Sequence, residues 1–398
     1  MKQYFALLPF CVLLFVLPFP GTVALRLLCL SAAFAIAVMN WKRLAPPPAG
    51  MKGVFLLWAV IALASLAYSV DASYSLGEIK NELGYTAMAF VAFFVFSDDQ
   101  KKLKWMLLAL AGGALVISAG ALLALVRSGT WEQTGWHGGT AAYASYFIMA
   151  LPAMVMLGYM HPGFKWRCMV ALIVLVLVAA AYFCDQRIVW PVLFLQGCVA
   201  LLFLRKVFRL NAAMTAAIFI ILALSLSVAL MSAHAKRFVA YDWRSNISGE
   251  IMRDDRASFW PRIVERIAER PLAGAGFGRG IMKKAYPDLT PANNRDLWHA
   301  HNVVLNYGLS MGIPGMVVMV MIFAALALRY RQFWKASDRR LQVLGACGLA
   351  LVLGVFARNM VNDMFLREGA LLFWALNGCF LGYGSRLLAR SAHDGVRT

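Results

Sequence analysis

The chain has 398 residues, of which 62% are hydrophobic and 14% charged, and its formal net charge is +19. A mean hydropathy of +0.69 excludes an ordinary soluble domain, in which only about half of the residues are apolar, and indicates a polytopic membrane protein. In such a chain the positive charge is explained by basic cytoplasmic loops and by attraction to anionic lipids, so we expect no nucleic-acid partner.

Apolar runs fill most of the sequence. Because a membrane span needs about 20 predominantly apolar residues, the chain divides into about twelve spans. In chain order they are residues 4–20, 23–40, 53–70, 83–97, 105–126, 140–160, 168–184, 188–204, 212–233, 303–328, 341–365 and 370–385. The predicted fold class is an all-α polytopic membrane protein with about 12 transmembrane helices and one long outward-facing loop that contains amphipathic helices.

The basic residues predict the orientation. If the N-terminus is cytoplasmic, the loops and termini on that side hold twenty Lys and Arg residues, whereas the short loops and span ends on the other side hold six. This asymmetry follows the positive-inside rule. We therefore expect both termini in the cytoplasm, transmembrane helices 1–9 in residues 1–234, an outward-facing loop in residues 235–302, and helices 10–12 in residues 303–398. The short segment from Asp71 to Glu82 would be a loop on the outward side.

The polar insert at 235–302 is the best place for chemistry, since it holds twelve of the 38 Lys and Arg residues. An amphipathic helix is predicted from about Arg256 to Glu269, with Pro261 either kinking it or lying in its first turn. The glycine-rich stretch 274–280 has neither the Lys-Ser/Thr pair of a P-loop nor the framing of a dinucleotide fingerprint. We interpret it as a sharp turn that could bring backbone N–H groups near an anion.

Histidine and arginine are the candidate functional side chains. His299 and His301 close the insert, and a histidine at a wet membrane boundary suits general-base work; the plainer interpretation is a boundary hydrogen bond. A zinc site needs three or four ligands, and no cysteine or third histidine is near, so we expect no metal. Arg187 lies between two apolar runs, where an ionisable residue is costly and by default functional, although pairing with Asp185 is the alternative. For Arg358, beside Asn362 and Asp363, we favour the structural interpretation.

These residues form a recognisable set. Arg187 in an outward turn, Arg256-x-x-x-Trp260, Pro271-Leu272-x-Gly274-x-Gly276, and His301-Asn302 followed by Gly312-Ile313-Pro314-Gly315 together resemble the bacterial O-antigen ligase and polymerase superfamily, and most of all its ligase branch. The chain departs from the family pattern at Gln186, where Ser or Thr is common, and at Pro191, where Leu is usual.

The resemblance implies a membrane glycosyltransferase of the multi-span GT-C type in the bacterial inner membrane, with its active site facing the periplasm. It would transfer polysaccharide from undecaprenyl diphosphate to the lipid A core oligosaccharide. By the resemblance, His301 activates the acceptor hydroxyl, and Arg187 and Arg256 hold the diphosphate of the donor. Secondary candidates are His299, Arg279, Trp260 and Asn302.

The expected chemistry needs no cofactor. A lipid diphosphate is an activated leaving group, arginines can stabilise the charge that develops on it, and direct displacement inverts the anomeric centre. Asp71, Glu78 and Glu82 could be proposed as ligands of a divalent ion, but the arginines make such an ion unnecessary. Three alternatives remain open: an O-antigen polymerase, a protein O-oligosaccharyltransferase, and a non-enzymatic lipid-linked sugar flippase.

Overall fold

The computed structural model describes residues 5–40, 49–131, 135–205, 207–238, 255–289, 298–363, 365 and 367–395, although the side chains of 49, 232–238, 255–258 and 392–395 lie outside this description. In order, the helices are α1 Leu8–Val16, α2 Val23–Met39, α3 Ala49–Ala64, α4 Ala72–Glu78, α5 Tyr85–Phe96, α6 Gln100–Ser128, α7 Thr140–Tyr159, α8 Phe164–Phe183, α9 Val189–Leu204, α10 Ala212–Phe238, α11 Asp255–Glu269, α12 Ile281–Ala285, α13 Val303–Lys335, α14 Arg339–Asn359 and α15 Arg367–Gly395. Short 3₁₀ turns lie at Ser65–Tyr68 and Pro287–Leu289, and a π-helical turn at Ile79–Gly84 joins α4 to α5.

Each of the twelve predicted spans coincides with a helix. By length and apolar composition, eight helical stretches within the described ranges can cross a membrane: Gly50–Tyr68, Ala72–Phe96, Gln100–Ser128, Thr140–Tyr159, Phe164–Phe183, Ala212–Met231, Val303–Lys335 and Arg339–Asn359. The helices Val23–Met39 and Val189–Leu204 are apolar but shorter. The all-α polytopic class is confirmed, while the count of twelve spans and the sidedness of the insert stay predictions.

The segment from Asp71 to Glu82 is helical, so the expectation of a loop there was wrong. Asp71 caps α4 by accepting a hydrogen bond of 2.9 Å from the Tyr74 backbone N–H, and the helix continues through the π turn into α5. A capped helix start satisfies backbone donors that a loop would leave to water. The two helices predicted around residues 185–187 are confirmed, because α8 ends at Phe183 and α9 begins at Val189.

The C-terminal helix α15 packs closely against α5. A side chain at Gly378 or Gly382 of α15 would come within 2.6 Å of the Phe90 carbonyl oxygen or 2.3 Å of the Phe94 carbonyl oxygen on α5. Small residues four apart let two helix backbones approach closely in a membrane protein. The C-terminal helix therefore completes the core formed by the N-terminal half, and its first turn lies next to the candidate site.

The insert has a hydrophobic cluster of its own. Ile263 and Ile267 of α11 are buried with Phe259, and they pack with Ala300 and with Leu309 of α13. The predicted amphipathic helix is thus confirmed, and it runs through Pro261 as one element. Its apolar face packs against Ala300, which lies between the two histidines, and against Leu309 of α13.

Candidate functional site

The chain at His301 adopts an unusual backbone conformation. His301 has φ of +52°, in the left-handed region that residues other than glycine seldom occupy. Asp185 in the Arg187 turn and Arg367 at the start of α15 also have positive φ, at 51° and 46°. Left-handed non-glycine residues persist where surrounding contacts hold them, and they concentrate at functional sites. Of the four such residues in the described part of the chain, one is in the Arg187 turn, one is His301 itself and one begins α15, while the fourth, Arg209, follows α9.

Asn302 fixes the position of His301 on the fold. Its side-chain oxygen accepts hydrogen bonds from the Val304 and Leu305 backbone N–H groups at 2.9 and 3.1 Å, which caps α13. Its amide also donates to the Met360 carbonyl oxygen at 3.0 Å, just beyond α14. The residue that starts α13 thus joins this helix to the end of α14.

A second amide holds the chain just before His301. The Ala300 backbone N–H donates to Asn306 Oδ1 at 2.8 Å, and the Asn306 amide donates to the Asp363 carboxylate. Trp260 of α11 donates its indole N–H to the Ala300 carbonyl oxygen at 2.8 Å. Both polar groups of the Ala300 backbone are therefore used, and His301 emerges from a rigid support.

The two histidines are stacked. Their ring centroids are 3.8 Å apart, and the His301 backbone N–H donates to His299 Nδ1 at 3.0 Å. A nitrogen that accepts a hydrogen bond carries no hydrogen, so neutral His299 carries its hydrogen on Nε2. His299 is buried, with 3% of its surface exposed, whereas His301 is half-buried. Of the two rings, His301 is the more accessible to a substrate.

Asn362 sets the protonation pattern of His301. Its side-chain oxygen lies 3.1 Å from His301 Nδ1. Since an amide oxygen only accepts hydrogen bonds, Nδ1 of neutral His301 carries the hydrogen and Nε2 carries the lone pair. The arrangement thus makes Nε2 the basic atom of the ring.

Arg358 joins the histidine segment to the Arg187 turn. It is 1% exposed, and its guanidinium lies 3.4 Å from the Asn362 carbonyl oxygen and 3.5 Å from the Ala141 carbonyl oxygen at the start of α7. Gln186, next to Arg187, donates to the adjacent Thr140 hydroxyl at 3.2 Å. The first turn of α7 therefore lies between the Arg187 turn and Arg358, and Asn362 lies between Arg358 and His301.

Arg256 lies in the first turn of α11, but its side chain is outside the described residues. It precedes Trp260 by four positions, so helical spacing puts both residues on the same side of α11. Trp260 contacts the chain before His301. The backbone register thus places Arg256 one turn away from the support of the candidate base.

Arg279 is held by protein groups in the part of the chain that the structure describes. It donates to the Asp363 carbonyl oxygen, and its guanidinium lies 4.6 Å from the ring centroid of Trp298. Burial lowers the pKa of Arg279, and the nearby carboxylates of Asp363 and Glu82 oppose that shift. Arg279 therefore braces the loop that carries the histidines.

The glycine-rich stretch is a docking segment. The Ala275 and Gly276 backbone N–H groups donate to the Leu309 and Ser310 carbonyl oxygens, and the Phe277 and Gly280 N–H groups donate to Ser65 Oγ and Tyr74 Oη. These four donors bind protein, so the expectation that the turn offers them to an anion was wrong. The reason is the buried packing of this stretch between α13 and the α3–α4 connection.

Two motifs that are distant in sequence meet here. Gly312 interrupts α13 with φ of +67°, and the Ile313 backbone N–H donates to the Pro271 carbonyl oxygen at 2.7 Å. A Cβ atom on Gly274 or Gly312 would come within 2.6 Å of Ser310 or Pro271 backbone atoms. The Pro271–Gly276 and Gly312–Gly315 motifs are thus the two halves of one contact between the insert and the membrane helices.

Sequence reasoning missed Asn306 as a site residue, and it gave Arg358 and its neighbour Asn362 a structural interpretation. The available signal was polarity in apolar surroundings, since Asn306 and Arg358 lie in the membrane helices α13 and α14. The contacts above place six of the predicted site residues at one end of the bundle: Arg187, Trp260, Arg279, His299, His301 and Asn302.

Comparison with known proteins gives one family. The model of the family described as O-Antigen ligase matches residues 172–320. No curated protein matches the chain. The matched segment contains every candidate residue predicted from the sequence, from Arg187 to Asn302. Over residues 172–320, the chain is thus similar to the O-antigen ligase family.

Proposed function

We propose that the protein is an O-antigen ligase that transfers polysaccharide from undecaprenyl diphosphate to the lipid A core oligosaccharide. The family match supports an enzyme of the O-antigen ligase or polymerase type. The observation that carries the finer proposal is the contact of His301 Nδ1 with Asn362 Oδ1, 3.1 Å apart, beside the buried Arg358. It combines a base of fixed tautomer with a cation at the end of the membrane helices.

In the proposed reaction, His301 Nε2 takes the proton of an acceptor sugar hydroxyl. The hydroxyl oxygen forms a bond to the anomeric carbon of the donor as the bond from that carbon to the diphosphate oxygen breaks. The diphosphate leaves with the electron pair, and the configuration at the anomeric carbon inverts. Proton transfer of this kind contributes a rate factor of about 10²–10⁴.

The arginines would bind the diphosphate. A guanidinium stays charged and offers several donors in one plane, which suits phosphate oxygens. In our proposal Arg187 and Arg256 contact the donor, because one lies in the turn against α7 and the other in the first turn of α11. Arg358 is proposed as a positioning residue, since its guanidinium reaches both the α7 carbonyl and the Asn362 segment. Charge placed beforehand in a site of low dielectric stabilises the leaving group.

The orientation and partners follow from the charge pattern. We infer that the protein lies in the bacterial inner membrane, with both termini in the cytoplasm and the 235–302 insert in the periplasm, because the basic residues concentrate on the opposite loops. The substrates are then the undecaprenyl diphosphate-linked donor and the lipid A core acceptor of the outer leaflet, with membrane lipids around them and no nucleic acid involved.

Product analysis tests the proposal. The purified protein in detergent is mixed with a lipid-linked glycan and lipid A core, and the products are separated by mass. We expect glycan joined to the core, and the His301→Ala variant is expected to lose at least 100-fold in rate while keeping its unfolding temperature. Chain extension of the lipid-linked glycan would identify a polymerase instead, and translocation without a new bond would identify a flippase. If His301→Ala kept most of the activity, the base assignment would be wrong.

A further inference from the structure

A cavity of about 260 Å³ lies at the same end of the bundle as the candidate site. Its walls come from the end of α1, the loop before α7, the first half of α7, and the start of α15. They include Pro20, His137, Ala142, Tyr143, Tyr146 and Glu368. Small-molecule sites commonly measure about 300–1,000 Å³, so this cavity has room for a single small ring and not for an oligosaccharide.

The cavity adjoins the candidate site along two stretches of chain. Ala142 in its wall follows Ala141, whose carbonyl oxygen contacts Arg358. Glu368 in its wall lies five residues beyond Asp363, which holds Asn306. A ligand bound in the cavity would therefore lie close to the segments that carry the proposed base.

His137 lies in the wall of the cavity, and one of its ring nitrogens is buried without a partner among the described residues. It is 1% exposed, and its Nδ1 lies 3.1 Å from the Gly138 carbonyl oxygen, so Nδ1 carries the hydrogen and Nε2 carries a lone pair. Nε2 is buried and has no partner in the part of the chain that is described. Such an atom costs about 1–3 kcal/mol, and its retention in a native structure calls for a use.

Glu368 supplies an oriented carboxylate. Its Oε2 pairs with Arg26 at 3.3 Å, and Arg26 is itself held by the Thr22 hydroxyl at 2.8 Å and by the Phe19 carbonyl oxygen. The Arg26 side chain is 6% exposed and that of Glu368 is 46% exposed. The buried arginine thus fixes the acid, while the acid remains open to a ligand as an acceptor of hydroxyl hydrogens.

Two tyrosine rings form the apolar wall. The Tyr143 hydroxyl is within 2.7 Å of Ser118 Oγ and 3.1 Å of the Leu177 carbonyl oxygen, and the Tyr146 hydroxyl donates to the Leu110 carbonyl oxygen at 3.2 Å. Both hydroxyl groups are used by neighbouring helices. The two rings line the cavity with 2% and 6% of their residue surfaces exposed, so they form a closely packed aromatic wall.

We propose that this cavity binds one sugar ring of a glycan substrate, next to the site of transfer. The inference rests on the proposed function and extends it to a recognition subsite. An accessible carboxylate beside a closely packed aromatic wall suits an uncharged polyol, whereas the carboxylate would repel a phosphate or diphosphate. The ring could belong to the acceptor oligosaccharide or to the donor glycan, which share this chemistry.

The decisive variant fills the cavity without removing a polar group. Ala142→Leu places three more carbon atoms in the wall, and Ala213→Leu, on an exposed face of α10, is the matched control. With purified full-length protein in detergent, we expect Ala142→Leu to raise the KM for one of the two glycan substrates at least tenfold and to change kcat less. A higher KM for lipid A core would assign the bound ring to the acceptor, and a higher KM for the lipid-linked glycan would assign it to the donor. Unchanged KM values for both substrates would overturn the proposal.

A second variant and a binding measurement keep the two proposals separable. Glu368→Gln keeps the shape but not the charge of the acid, and it should raise the same KM as Ala142→Leu, provided that its unfolding temperature shows an intact fold. In parallel, delipidated core oligosaccharide and the free glycan are titrated against wild type and Ala142→Leu by thermal shift. Binding of a free glycan to wild type that Ala142→Leu abolishes supports the cavity even if no transfer is seen, in which case only the proposed function fails. If neither free glycan binds wild type and the KM values of Glu368→Gln are unchanged, the proposal that the cavity binds a sugar ring is overturned.

Discussion

The imidazole of His301 and the side-chain amide of Asn362 lie together although 61 positions separate them, with His301 Nδ1 3.1 Å from Asn362 Oδ1. The contact joins the end of the insert to the turn after α14. Because this oxygen fixes which ring nitrogen carries the hydrogen, the chemistry proposed for His301 depends on a residue outside the insert.

Asn362→Ala should lower kcat by about 10- to 100-fold, since the ring loses its fixed tautomer while the base itself remains. Asn362→Asp should retain a larger fraction of the wild-type kcat at high pH than at neutral pH. A carboxylate beside the ring favours imidazolium, which cannot accept a proton, so the acid limb of the kcat–pH profile should move to higher pH. Asn40→Ala, at the end of α2, is the control. A profile for Asn362→Asp that matches wild type would argue against contact between these side chains during catalysis.

Trp260→Phe should slow transfer about tenfold and leave substrate KM values nearly unchanged. The phenyl ring keeps most of the packing but loses the 2.8 Å hydrogen bond to the Ala300 carbonyl oxygen, a bond worth about 0.5–1.5 kcal/mol. The measurement is steady-state transfer together with thermal unfolding. Trp105→Phe, on an exposed face of α6, should match wild type in both, and equal behaviour of the two variants would remove Trp260 from the support of His301.

Arg187→Ala should weaken binding of undecaprenyl diphosphate by about 10- to 100-fold, because a hydrogen bond to a charged group contributes about 1.5–3 kcal/mol. Arg127→Ala is the matched control, since Arg127 is an exposed arginine in the last turn of α6. Binding is measured by titration of the lipid into protein in detergent. Equal losses in both variants would indicate general attraction of an anion and no specific site.

Gly276→Ala should loosen the docked insert. Gly276 has φ of +113°, and a Cβ atom there would come within 2.1 Å of Ser69 Oγ. We expect a lower unfolding temperature and faster proteolysis of the insert. Gly77→Ala is the matched control, because it lies in α4 with no atom within 4 Å of an added Cβ and alanine favours a helix. If the two variants were equally stable, the contact between the insert and the α3–α4 connection would not hold the loop.

Removal of divalent ions should leave the transfer rate unchanged. In the proposed mechanism arginine side chains carry out the charge stabilisation that a metal provides in other transferases. The test compares rates after treatment with EDTA and after addition of Mg²⁺ or Mn²⁺. A loss that one of these ions restores would contradict the proposal and direct attention to carboxylates such as Glu82 and Asp363.

Local sequence features determined much of this protein. Apolar runs of span length fixed the helices, and an apolar stripe at Ile263 and Ile267 fixed the amphipathic helix of the insert, because both patterns act within one element. The histidines and arginines were identifiable as costly polar groups at membrane boundaries. The segment from Asp71 to Glu82 failed as a predicted loop because a capping side chain and a π turn extend the helix beyond its apolar part.

Only the tertiary structure decided which residues act together. Asn362 contacts His301, and Arg358 contacts the start of α7. The glycine-rich turn donates its N–H groups to α13 and to the α3–α4 connection. Nothing in the local pattern around these residues specifies such partners, since each contact joins segments far apart in the chain. Polarity in the sequence marks the groups that need partners, and helix packing determines which partners they find.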